Sequence, residues 1–253
     1  MLVPTRELAL QVAEVLEPIA KACGMKVLAV YGGASRDKQI EELEKGVELI
    51  VATPLRLIDL MKADEVSLDK ISVAILDEAD RMADDGFTPQ VEWVLRHVTG
   101  EHQTMLFSAT LDGQVGHLVS RYLKNPVEVS VDSATDTVGT MRHLFLAVHK
   151  LDKDRVIAAM AAGSGQTVVF CDTKRQCDRV ERALLDLGAN AAAIHGDLAQ
   201  TSREKALKRF EKGEISILVA TDVAARGIDI DDVSLVVHYE PPIDVKNYLH
   251  RSG

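Results

Sequence analysis

Two rhythms of apolar residues alternate along the chain. Short uninterrupted apolar runs have the composition of strands buried on both faces. Between them lie stretches whose apolar residues return at the spacing of an amphipathic helix. Met1-Leu2-Val3 reads as the tail of a strand, and Pro4-Thr5 turns it into a helix capped by Thr5. Leu8, Val12, Val15, Leu16 and Ile19 line one side of that helix, which ends near Cys23-Gly24. Strands are predicted over residues 27–31, 48–52, 73–76, 104–107 and 127–131. The helices among them are marked by Ile40 and Leu43, by Leu57, Leu60 and Met61, and by Val91, Val94 and Leu95 beside Trp93. Thr53-Pro54 opens the second of these, with Thr as cap and Pro in the first turn.

Residues 133–139, small and polar, interrupt the pattern, and it then restarts. Strands are predicted over 144–148, 167–171, 191–194, 215–220 and 235–238. The intervening helices cover 155–162, a stretch with Val180, Leu184 and Leu187 inward that stops at Gly188, and a charged stretch with Ala206, Leu207 and Phe210 as its apolar side. Such alternation predicts the α/β class, with parallel sheets covered on both sides. At 253 residues the chain is long enough for two domains that each bury a core. The expected division is a domain over 1–132, a linker over 133–142 and a second domain over 143–253.

Composition narrows the partners. Aromatic residues are only 4% of the chain, so platforms for stacking bases are scarce. The net charge of −10 argues against a basic surface footprint, yet backbone N–H groups, helix starts and a few arginines can hold phosphates in a local cleft. Cys23, Cys171 and Cys177 form no metal-like cluster and read as reduced thiols, Cys171 on a strand and Cys177 on a helix. No run approaches a membrane span and no signal peptide is recognisable at Met1, so no membrane is expected and the expected compartment is the cytoplasm. Gly163-Ser164-Gly165 precedes a strand instead of following one and is a turn, not a dinucleotide loop.

Chemistry concentrates where residues 73–76 end. Val73-Ala74-Ile75-Leu76 runs into Asp77-Glu78-Ala79-Asp80, and acids at that density need cations or hydrogen-bond donors. At a strand's carboxyl end an Asp can hold Mg²⁺ through water while an adjacent Glu orients or deprotonates an attacking water. The same pattern in isolation is that of a solvated turn. Its company decides between them. Pro4-Thr5-Arg6-Glu7-Leu8, Gly32-Gly33, Thr53-Pro54, Asp77-Glu78-Ala79-Asp80, Ser108-Ala109-Thr110, Val169-Phe170, His195-Gly196-Asp197, the run from Thr221 to Asp229, and His250-Arg251 resemble, in order and spacing, the motifs of the DEAD-box RNA helicases of superfamily two.

That resemblance implies two RecA-like parallel-sheet domains in tandem that bind ATP between them and one RNA strand across both. It casts Asp77 as the holder of Mg²⁺ and Glu78 as the residue that positions the hydrolytic water. Asp80 becomes the relay to Ser108, Thr110 and His250, and Asp229 the contact to the ATP ribose. For RNA it implies sugar and phosphate contacts from Thr5, Arg6, Gly33, Thr53 and Arg56 in the first domain, and from Thr173, Gly196, Arg203 and Thr221 in the second. Gly admits close backbone approach, Thr donates from a helix start and Arg adds a charged fork, and such contacts read no bases. From spacing alone, Gln200 and Arg203 read as a solvated helix start. The chain departs from the family at Leu55, which stands where Thr-Pro-Gly-Arg has its Gly.

The family's phosphate loop, G-x-x-x-x-G-K-[ST], does not occur in the 253 residues, nor does its adenine-reading segment. The expectation is therefore a fragment, with the first domain lacking its N-terminal strand and phosphate loop and the second ending before the family's γ-phosphate arginines. The full-length protein would be an ATPase that remodels RNA, while this stretch alone would be inactive and its first domain unstable. The alternative is a non-enzymatic RNA-binding or interaction module. A DNA-acting helicase fits the sheet but not Asp-Glu-Ala-Asp together with Pro-Thr-Arg-Glu-Leu.

Overall fold

The computed structural model describes residues 1–111, 113–130, 141–225, 232–242, 247, 248 and 251. The chain divides into two compact units, Met1–Glu128 and Val129–Gly253. Of the expected linker over 133–142, residues 133–140 lie outside the described residues.

In the first unit the order is α1 (Arg6–Ala22), β1 (Val27–Val30), α2 (Arg36–Glu44), β2 (Leu49–Ala52), α3 (Pro54–Lys62), β3 (Val73–Leu76), α4 (Ala79–Asp84), α5 (Thr88–Arg96), β4 (Gln103–Leu106) and α6 (Gly113–Tyr122). β1 and β2 pair in parallel, as do β3 and β4. Residues 1–3 join the two pairs, because Leu2 bridges in parallel to Ala52 and to Leu76. The order across the sheet is thus β1, β2, residues 1–3, β3, β4, and all carboxyl ends share one edge. Alternation along the strands sorts the core. Leu2, Ala52 and Leu76 face one side, with Leu57 and Leu60 of α3, Val91, Val94 and Leu95 of α5, and Leu118 of α6. Val3 and Val51 face the other, where Leu8, Val12 and Leu16 of α1 cover them. Val15 and Ile19, expected on that face of α1, are 67% and 57% exposed.

The second unit contains α7 (Lys153–Ala162), β5 (Gln166–Cys171), α8 (Lys174–Asp186), β6 (Ala191–Ile194), α9 (Gln200–Glu211), β7 (Ile217–Thr221), α10 (Asp222–Ala225) and β8 (Val233–His238). Its sheet is parallel, in the order β6, β7, β5, β8. β7 is buried throughout and β5 nearly so, as central strands must be. Val169 and Cys171 pack with Cys177, Val180 and Leu184 of α8, whereas Val168 and Phe170 pack with Leu207 and Phe210 of α9. Cys177 and burial together push the Cys171 thiol well up from its usual range, as expected of a core thiol.

The sequence pattern errs in three further places. Of the strand expected at 127–131, residues 127–130 pair with no strand among the described residues, and Val127 and Val129 are 88% and 84% exposed. Residues 144–148 likewise form no strand, and Phe145 is 88% exposed. Period-two alternation defines which face a segment would bury but cannot supply an edge to accept it. Leu187, read as inward, caps α8 and is nearly half exposed.

Candidate nucleotide and RNA sites

β3 delivers the acidic cluster to the sheet edge. The Asp77 N–H donates to the Leu2 carbonyl at 3.0 Å, extending the ladder one residue past the strand. The Asp77 Oδ1 then accepts the Glu78 N–H at 2.9 Å. Glu78 sits in the left-handed region, at φ 50 and ψ 48, a conformation uncommon for a residue with a side chain and typical of a functional turn. Its neighbours pin it there: the Ala79 N–H donates to the Phe107 carbonyl at 3.1 Å and the Met82 N–H to the Glu78 carbonyl at 3.1 Å. Asp80 is buried, and its N–H donates to Ser108 Oγ at 3.2 Å, which in turn donates to the Thr110 carbonyl at 2.6 Å. The structure thus brings Asp80, Ser108 and Thr110 together at the ends of β3 and β4, using the carbonyl of Thr110. His250 and Asp229 lie outside the described residues.

Burial raises the carboxyl pKa of Asp77, against the pull of the Glu78 N–H and of Arg81. Burial also raises that of Glu78, opposed by Arg81 and reinforced by Asp77. Both acids are therefore held where charge is unfavourable, a setting that a cation relieves. Among the described residues no group of His, Cys, Asp and Glu forms a metal cage. A cation at Asp77 would take most of its ligands from water and substrate, which suits Mg²⁺ and the hard carboxylate donors present.

The RNA candidates of the first unit occupy the other end of the same sheet edge. Thr5 caps α1, accepting the Leu8 N–H at 3.2 Å. Arg6 reaches over the loop after β1, its guanidinium 3.7 Å from where a side chain at Gly32 would begin. Gly33 has φ +89, a backbone that favours glycine. Thr53 stands at the start of α3 but makes no side-chain cap bond, so its hydroxyl stays available. Arg56 donates to Gln39 Oε1 at 3.0 Å and to the Ala34 carbonyl at 3.3 Å, tying the start of α3 to the loop after β1.

In the second unit Thr173, Gly196 and Thr221 follow or end β5, β6 and β7 at one sheet edge. Thr173 caps α8 by accepting the Gln176 N–H at 3.2 Å. Lys174 lies beside Gly196 and bonds Asp197 at 2.5 Å. His195 is buried and pairs through Nε2 with Asp178 at 2.8 Å. Gln200 and Arg203 are each 7% exposed, which overturns their reading as a solvated helix start. Their α9 face turns toward the body of the unit with Leu207 and Phe210, a fact that helical spacing leaves undecided.

Sequence reasoning did not single out Arg81, and it named Arg251 only as part of the His250-Arg251 motif, with no role of its own. Arg251 is buried and forks onto Asp222, Nε to Oδ1 at 2.5 Å and Nη2 to Oδ2 at 2.7 Å, with Asp172 at 3.4 Å. It also lies 5.4 Å from the Phe170 ring centroid. Arg251 therefore ties together the residues adjoining Thr173 and Thr221. The signal in the sequence was its motif position beside His250, which does not reveal the pairing with Asp222 and Asp172.

Comparison with known proteins bears on the family and the fold. Residues 1–118 match the DEAD/DEAH box helicase family, and residues 150–253 match the helicase conserved C-terminal domain. The ATP-dependent RNA helicase DeaD of Buchnera aphidicola is 40% identical over 255 residues, covering 100% of this chain and 42% of the relative. The DEAD-box ATP-dependent RNA helicase CshA of Bacillus licheniformis is also 40% identical, with 100% and 52% covered. The chain thus spans about half, or less, of the curated relatives it matches. Among solved structures, S. cerevisiae Dbp5 bound to RNA and ADP BeF3 is similar at a TM-score of 0.85 and 29% identity, covering 99% of this chain and 66% of that one. A DEAD box protein from Methanococcus jannaschii is similar at 0.51 and 33% identity, with 99% and 68% covered. Both units are RecA-like, and the chain belongs to the DEAD-box helicase family.

Proposed function

We propose that these residues form most of the RNA-facing and metal-facing machinery of an ATP-dependent RNA helicase. The observation that carries the reading is the shared sheet edge of the first unit. Asp77, Glu78, Asp80 and Ser108 stand at the ends of β3 and β4, while Thr5, Arg6, Gly33, Thr53 and Arg56 follow residues 1–3, β1 and β2. Asp77 would hold Mg²⁺, and Glu78 orients the attacking water and accepts a proton from it. When bound, the ion neutralises charge on the β- and γ-phosphates. Ser108 fixes the Asp80 turn, so that movement at the end of β4 reaches the acids. The family resemblance assigns Asp229 to the ribose and His250 to the relay, both outside the described residues. Thr173, Gly196, Arg203 and Thr221 hold further sugar and phosphate, without reading bases.

The 253 residues contain no G-x-x-x-x-G-K-[ST] loop, which favours a second reading for this stretch taken alone: RNA binding without turnover. Both readings are tested by titrating the 253-residue chain and the full-length protein with single-stranded RNA, with and without ATP and Mg²⁺. The enzyme reading expects sequence-independent, salt-sensitive binding by both and RNA-stimulated hydrolysis by the full-length protein. A full-length protein that binds RNA but never hydrolyses ATP supports the module. Strong base-sequence preference contradicts both.

A further inference from the structure

We propose that Arg81 is the positioning residue for Glu78, a role that rests on the reading of Glu78 given above. The Glu78 backbone is pinned on both sides, so its only freedom lies in the side chain. That side chain has one partner among the described residues. Arg81 Nη1 lies 2.8 Å from Glu78 Oε1, one helical turn away, with both side chains largely shielded at 18% and 25% exposure. The other oxygen, Oε2, is buried and accepts no hydrogen bond. A buried carboxylate oxygen without a donor is unfavourable unless a donor arrives with the ligand. Water is the donor the reaction brings. Arg81 therefore does two things: it occupies one carboxylate oxygen and fixes the side-chain torsions, so that the remaining oxygen is the one presented to the water. Asp77 cannot do this, since its Oδ1 is engaged with the Glu78 backbone and not with its carboxylate.

The test uses the full-length protein. Arg81→Ala is expected to lower kcat for RNA-stimulated ATP hydrolysis about tenfold to a hundredfold, the scale of a misplaced reactive group. KM for ATP and RNA affinity should stay within twofold of wild type, since the guanidinium of Arg81 is engaged with Glu78. Arg81→Lys keeps the charge without the planar fork and should recover part of the loss. In a Glu78→Gln background, Arg81→Ala should add nothing. A crystal structure of nucleotide-free Arg81→Ala provides a readout independent of turnover. It should show the Glu78 carboxylate moved while the left-handed backbone stays. Unchanged or increased kcat, a loss confined to KM, or an unmoved carboxylate overturns the proposal. Should Glu78→Gln itself leave turnover intact, the functional reading fails and the role of Arg81 with it. Should Glu78→Gln abolish turnover while Arg81→Ala does not reduce it, only the role of Arg81 fails.

Discussion

Removing the Arg251 guanidinium should destabilise the second unit more than any surface substitution. The Arg251 side chain is 4% exposed, whereas its partners Asp222 and Asp172 are 26% and 44% exposed. Breaking a buried ion pair from one side costs about 3–5 kcal/mol when the stranded charge stays dry. Water reaches part of Asp222, so the expected loss for Arg251→Ala is about 2–3 kcal/mol, with the contact to the Phe170 ring included. In a domain of this size that is roughly 10 °C in Tm. Asp172 is farther from the guanidinium, at 3.4 Å. Asp172→Asn should therefore cost less than about 1 kcal/mol, the range of an exposed pair. Arg251→Lys should fall between, because an ammonium cannot make both bonds to Asp222. Urea unfolding of the whole chain followed by circular dichroism reads these values, with the first unit's transition as an internal reference. A loss below about 0.5 kcal/mol for Arg251→Ala, or equal losses for Asp172→Asn and Asp222→Asn, would refute the reasoning.

Asp77→Asn should stabilise the first unit at neutral pH. The folded carboxyl pKa values of Asp77 and Glu78 are raised by burial, so the native state holds these protons more tightly than the unfolded chain does. Stability is then full below the unfolded carboxylate range, near ~4, and declines as pH rises through the folded values. Removing one charge should gain about 0.5–2 kcal/mol at pH ~7 and progressively less as the pH falls toward ~4, measured by calorimetry across that range. Gly33→Ala should cost about 1–2 kcal/mol, because φ +89 suits glycine, and should weaken RNA binding in a filter assay. Equal stability and affinity would contradict both roles of that loop. Ser108→Ala removes the acceptor for the Asp80 N–H and should destabilise by about 1–3 kcal/mol, the range for a stranded buried donor. A change within ±0.5 kcal/mol would show that the contact is incidental.

The strand and helix rhythm was legible because both sheets are buried on two faces, and runs such as 168–171 and 217–220 need no partner information to be recognised. Residues 127–130 and 144–148 carry strand composition but no described strand pairs with them. Pairing is a long-range property that local pattern does not contain. The acids and the loop threonines were legible as motif positions, and their adjacency follows from parallel strands that all end at one edge. Burial of Gln200 and Arg203 was not legible, since the same spacing serves an exposed helix face equally well. Arg81 was passed over, and Arg251 was named without its structural role, because each acts through a partner: one is a single turn from Glu78, the other is distant in sequence from both of its aspartates.

The most direct test is the rate of RNA-stimulated ATP hydrolysis by the full-length protein carrying Glu78→Gln, measured alongside its binding of RNA and nucleotide. The account predicts that hydrolysis falls by about a thousandfold, within the range for losing a catalytic acid–base group and its oriented water, while both ligands still bind. Hydrolysis close to wild type, with binding intact, would contradict it.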